Sequence, residues 1–215
     1  MPFAICQELF VDWDWEQQCR CIAEIGYTGV EVAPFTLAAR PSDVTASERE
    51  RLRGIAEQHG LEIIGLHWLL AKTEGYHLTS PDEAVRERTA AYLRELADLC
   101  ADLGGTVMVF GSPGQRSLQP GVTREAAYDY AADLFRRAMP HLADRGVYLC
   151  MEPLTPKETD FCNTCADGLE LIRRVGHSHF VLHQDVKAML GEAPAGRLPG
   201  LIREYAAVTR HFHVN

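Results

Sequence analysis

The sequence has no apolar run approaching about 18 residues, the length a membrane-spanning helix needs. Its start, "MPFAICQELF", has no basic stretch ahead of an apolar one, so no secretory leader is expected. Positive charge is in short supply. Lys and Arg number 21 against 30 Asp and Glu, for a net charge of −9. Nucleic acid and anionic membrane surfaces are gripped by basic faces, so neither is an expected partner. No GxGxxG occurs anywhere, which removes the usual dinucleotide-binding turn of an open doubly wound sheet. The seven cysteines are an odd number and scattered. The single "CNTC" at Cys162–Cys165 has no second CxxC to complete a zinc ribbon, and a thioredoxin-type role is not expected of it. Free buried thiols in a reducing cytoplasm are the expectation.

What is present is alternation. The 215 residues suit one domain, residues 1–215. Short apolar runs predict strands at 3–9, 29–35, 61–70, 106–112, 147–153, 180–186 and 208–214. Longer amphipathic segments separate them. "SPDEAVRERTAAYLRELADLCADLG" predicts a long helix with a capping box from Ser80 to Glu83 and Pro81 in its first turn. A helix is also predicted from about Thr123 to Arg145. Strands of this apolar, β-branched kind are buried on both faces, which implies a parallel sheet. The repeat matches a (β/α)8 TIM-type barrel, typically about 250 residues long. Only seven strands are found, so the expected domain is a barrel incomplete at its C-terminal side.

Chemistry in such barrels sits at the C-terminal ends of the strands. Glu31, His67, Glu152, Asp185 and His213 fall at five of these ends. Residues two apart share a face. If Glu152, Asp185 and His213 point inward, His183 and His211 lie one layer below, as orienting neighbours. Two carboxylates and an imidazole on one rim suit Mn²⁺, Mg²⁺ or Co²⁺. The rival reading is a hydrogen-bonded polar plug. Glu31 and His67 are equally compatible with ligation and with a supporting role. His59, His77, His141, His177 and His179 are expected to face solvent.

The runs "LCMEPLTPKETDFCNT", "VLHQDVKAM" and "HFHVN", with "GLHWLL" and "VFGSPGQR", resemble the xylose isomerase-like TIM-barrel superfamily. That group includes sugar isomerases, ketose 3-epimerases, hydroxypyruvate isomerases and endonuclease IV-type repair enzymes. The resemblance implies that Glu152, Asp185 and His213 are three of four metal ligands, with Zn²⁺ a further option for the ion. It implies that Glu152 also acts as a base and that Glu158 contacts substrate. The fourth ligand of the group, a glutamate ending strand eight, has no counterpart here. Ala188 stands where the epimerases place a histidine.

The implied activity is isomerisation or epimerisation of a sugar, sugar phosphate or related hydroxy-carbonyl compound through an enediolate. The expected partner is thus a small carbohydrate. Trp68 and Phe35 are candidates to pack on the sugar. Gln115 and Arg116, in "GSPGQRSLQPG", are candidates for hydroxyl or phosphate oxygens. Two other readings stand beside this one. The first is an endonuclease IV-like phosphodiesterase, disfavoured by the acidic balance and few rim histidines. The second is an inactive truncated barrel, or one completing its site as a homo-oligomer.

Overall fold

The computed structural model describes residues 3–10 and 12–214. Its seven strands are β1 (Ala4–Cys6), β2 (Gly29–Val32), β3 (Glu62–Leu66), β4 (Val107–Phe110), β5 (Tyr148–Met151), β6 (Phe180–Asp185) and β7 (Thr209–His213). They form one sheet in sequence order, and every neighbouring pair is parallel. The helices between them are α1 (Trp15–Ile25), α2 (Ala46–Gln58), α3 (Glu83–Asp102), α4 (Arg124–Asp144), α5 (Cys165–Val175), α6 (Val186–Glu192) and α7 (Leu198–Tyr205). The sheet curls into most of a barrel. Glu31 of β2 meets both histidines of β7 within hydrogen-bond distance, although the two strands lie far apart in the sheet order.

The strands are shorter than their apolar runs. The first run yields three strand residues, and Gln7–Leu9 tightens into a 3-10 turn. The third run stops at Leu66, because Trp68 takes a left-handed backbone (φ 52°) that no extended strand accommodates. Gly65 is needed where β3 meets β4. A Cβ there would stand 2.1 Å from the carbonyl oxygen of Val107.

One predicted cap is corrected. α3 begins at Glu83, with Asp82 as its N-cap accepting from the Ala84 amide. Ser80 lies outside the helix and accepts from the Asp82 amide, while buried Arg86 donates to the Ser80 and Pro81 carbonyls. Asp satisfies the orphan amides as well as Ser does, and it stands nearer the helix. α4 matches its expected span, with Thr123 as cap.

The helices pack on the outside of the sheet. One core runs from α1 to the start of β6, filled by Phe110, Phe135, Phe180 and the inner faces of α3 and α4. A smaller cluster of Cys165, Leu182, Met189 and Tyr205, with Phe212 against it, anchors α5, α6 and α7 beside β6 and β7. Phe212 thus faces the helices while His211 and His213 face inward, as strand alternation requires. Among the described residues no helix is long and apolar enough to cross a membrane.

Candidate metal centre

The C-terminal ends of the strands converge. One donor atom each from Glu152, His183, Asp185 and His213 lies within 4.8 Å of the others. β5 delivers Glu152 one residue past its end, β6 delivers His183 and Asp185, and β7 delivers His213. The β6–β7 register shifts between Leu182 and His183, where Arg210 is the extra residue on β7. A second shift, between Val30 and Glu31 of β2, has Ile64 as the extra residue on β3. Both occur one step ahead of a buried polar group.

Glu31 organises this end of the barrel. It is buried, and its Oε2 accepts from His211 Nε2 at 3.1 Å and His213 Nε2 at 2.9 Å. Burial alone would raise its pKa, but the two imidazole hydrogen bonds prevail and hold it well below the ordinary glutamate value. An ionised Glu31 can only accept, so the His213 proton resides on Nε2. His213 Nδ1 then faces the Asp185 carboxylate, 3.9 Å away. Burial opposes the charged form of His213, yet the bond to Glu31 and the charges of Glu152 and Asp185 raise its pKa.

Glu152 and His183 are shifted the other way. Burial, then the charge of Asp185, pushes Glu152 up to about 7. Burial, then the nearby His213 and His211, pushes His183 well down, so it is neutral. Neither ring nitrogen of His183 has a hydrogen-bond partner among the described residues. A neutral, fully buried imidazole with both nitrogens unmatched is costly unless something polar or cationic meets it. The donor set and this orphaned ring both fit a divalent cation. Asp185 also caps α6, accepting from the Ala188 amide at 3.0 Å, which fixes its orientation.

The other candidates divide. Glu158 lies near enough for its charge to act on Glu152. Its Oε1 meets Lys187 Nζ at 2.7 Å and its Oε2 accepts from the Thr155 hydroxyl at 2.9 Å. Burial opposes the effect of these bonds, but they win and lower its pKa. Trp68 is exposed at the rim, edge-on to Phe35 at 6.5 Å. Gln115 is half-buried, and its backbone carbonyl accepts from the Leu78 amide.

Arg116 does not match its expected role. It is fully buried, and its five N–H groups go to the carbonyls of Gly111, Glu152, Phe161 and Cys162. No donor is left for a hydroxyl or phosphate. Arginine's planar fork suits a cluster of carbonyls as well as an anion, and sequence alone does not separate the two.

His183, expected one layer below the rim, has a ring nitrogen within reach of the donors themselves. The rim is also richer in histidine than expected. The rings of His67, His183, His211 and His213 form a connected set with centroids 4.3 to 6.3 Å apart. The five histidines expected in solvent are each half-buried. Two polar neighbours escaped the sequence reading. Cys6 Sγ lies 3.3 Å from His67 Nδ1, and Glu8 Oε2 lies 2.7 Å from His67 Nε2. Applying the strand-end rule to the first strand would have found them.

Matching extends over residues 19–215, and the chain belongs to the xylose isomerase-like TIM barrel family. Solved structures share its fold. A D-psicose 3-epimerase from Clostridium cellulolyticum H10, solved with D-tagatose, superposes with a TM-score of 0.84 at 18% identity, over 99% of this chain and 72% of that one. An L-ribulose 3-epimerase gives 0.83 at 23% identity, over 100% and 70%. A family 2 AP endonuclease from Brucella melitensis gives 0.75 at 20% identity, over 99% and 78%. No curated protein sequence matches.

Proposed function

We propose that the protein is a divalent-metal-dependent isomerase or epimerase of a sugar or related hydroxy-carbonyl compound. The observation that carries this reading is the convergence of Glu152, Asp185 and His213, with His183, at the strand ends. Glu152, Asp185 and His213 would hold the cation, which would supply positive charge for an oxygen that becomes negative as a neighbouring carbon loses its proton. The structural neighbours named for 3-epimerisation of ketoses support the same chemistry.

The chain's own groups supply the rest. Glu152, largely buried at the rim one residue past β5, is the base for the carbon beside the carbonyl. Glu158, held ionised by Lys187, accepts from a substrate hydroxyl and orients it. Trp68 and Phe35 offer apolar faces to the sugar ring. With Arg116 spent on carbonyls, nothing in the loop after β4 argues for a phosphorylated substrate. The free thiols support a reducing compartment such as the cytoplasm.

The test is metal content together with turnover of a ketose and aldose panel in the presence of Mn²⁺. Glu152→Gln is expected to abolish both metal retention and exchange of the substrate proton with solvent. Retained exchange removes Glu152 as the base, and silence across the panel with no metal bound sinks the reading.

One observation favours a second reading, an endonuclease-like phosphodiesterase. The four rim histidines are more than the sequence suggested, and an AP endonuclease shares the fold. The net charge of −9 opposes it. Tight binding of abasic-site DNA at moderate salt would reverse the preference.

A further inference from the structure

The strands on the other side of the barrel carry a donor set that the proposed reaction does not use. Cys6 ends β1, Glu31 lies in β2 and His67 follows β3, so three adjacent strands each contribute one group. One donor atom from each, and one from His213, lie within 4.8 Å of one another. Glu31 is 2% exposed and His67 is 3% exposed.

The donor atoms are sorted by their neighbours. His213 Nε2 and His211 Nε2 use Glu31 Oε2. That leaves Glu31 Oε1, which is buried and has no hydrogen-bond partner among the described residues. Glu8 Oε2 lies 2.7 Å from His67 Nε2 without hydrogen-bonding geometry, and His67 Nδ1 lies 3.3 Å from Cys6 Sγ. A carboxylate on the far nitrogen is the usual device for orienting a metal-bound histidine. A buried, unmatched carboxylate oxygen is thus brought beside an imidazole nitrogen and a thiol that pair with each other. The 3.3 Å between Cys6 Sγ and His67 Nδ1 fits two donors of a tetrahedral ion. Bonds of about 2.0–2.3 Å at that angle put donors roughly 3.3–3.8 Å apart.

We infer that Cys6, Glu31 and His67 form a second cation site, separate from the Glu152, Asp185 and His213 set and selective for a zinc-class ion. The sulfur decides the class. Thiolate with imidazole suits zinc or cobalt, whereas the carboxylate-rich set at β5–β7 suits harder ions. Binding replaces the Cys6 S–H with a sulfur–metal bond and releases that proton to water. Three protein donors leave a fourth position for water. The site ties β1, three residues long and paired to β2 alone among the described residues, to both β2 and β3. It rests on the proposed function only in that the two sites must be told apart.

The experiment is a Co²⁺ titration of the metal-stripped full chain, read by absorbance. Two equivalents are expected, one of them with a sulfur-to-cobalt charge-transfer band in the near ultraviolet. Cys6→Ser should remove that band and one equivalent. Asp185→Asn should remove the other equivalent and leave the band. One equivalent without a band, or a band that survives Cys6→Ser, overturns the second site and leaves the proposed function standing. A band with no second equivalent sinks the β5–β7 centre instead. X-ray absorption of the zinc-loaded wild-type chain needs no variant. A sulfur at about 2.3 Å supports the site, and a shell of only oxygen and nitrogen overturns it.

Discussion

The loop after β4 and the mouth of the barrel at β6 each bury one nitrogen-rich side chain completely, Arg116 and His183. The loop surrounds its arginine with carbonyls until every N–H is used. The mouth leaves both nitrogens of its histidine unmatched. Burial is equal, so burial does not distinguish scaffold from chemistry. Satisfaction does. A polar group matched from within the fold is finished, and one left unmatched is available to a ligand.

The largest effect is expected at the matched site. Arg116→Met would orphan the Gly111, Glu152 and Phe161 carbonyls, each worth roughly 1–3 kcal/mol when buried unpaired, while the Cys162 carbonyl keeps the Leu154 amide. Urea unfolding should show a loss above about 4 kcal/mol, with Arg116→Lys recovering part of it. A loss below about 1 kcal/mol would show that the carbonyl cluster does not need its arginine.

Gly111 joins the two regions. A Cβ at this position would meet Glu152 Oε2 at 2.3 Å. Gly111→Ala should therefore displace the carboxylate, costing about 1–3 kcal/mol in denaturant melts. Metal affinity should fall roughly 10–100-fold, as when other supporting groups of a metal site are lost. Unchanged affinity by calorimetry would remove Glu152 from the ligand set.

His183→Leu tests the unmatched site. Removing a polar group that the fold does not satisfy should leave metal-free stability unchanged or raise it by about 1–2 kcal/mol. Metal retention should fall in the same variant. A loss comparable to that of Arg116→Met would mean that His183 has structural partners after all.

The smallest effect belongs to Asp167, a matched charge at the start of α5. It accepts from the Asn163 and Thr164 amides and from Arg124. Burial opposes these bonds, but together they lower its pKa below the ordinary aspartate value of 3.8. A depressed carboxylate stabilises the fold above its unfolded value, and the contribution disappears as pH falls through the folded value. Asp167→Ala should cost on the order of 1 kcal/mol at neutral pH. The gap to wild type should close below about pH 3.8, and a gap that persists there would assign the effect to packing.

Much of the site was legible because strand ends obey a simple rule. Glu152, Asp185 and His213 interrupt apolar runs near their C-terminal ends, and a parallel barrel brings those ends together. That a ring nitrogen of His183 also reaches the donors was not legible, because it depends on side-chain distances between strands. Cys6 and Glu8, two apart in the run 3–9, share a face by strand alternation, but only the fold shows that both meet His67. Arg116 was hidden for a different reason. Its partners are carbonyls from residues 111 to 162, and backbone acceptors carry no sequence signature.

By itself the sequence determined the order of strands and helices, the parallel barrel class and which polar side chains end β5, β6 and β7. These follow from local periodicity and from the rule that parallel strands are joined by crossovers of one hand. Tertiary structure alone decided which polar groups are matched. Whether Glu31 holds His213 or stands free, and whether Arg116 meets a ligand or a carbonyl, depends on distances between residues far apart along the chain. The curl of the sheet sets those distances, and the local pattern does not contain them.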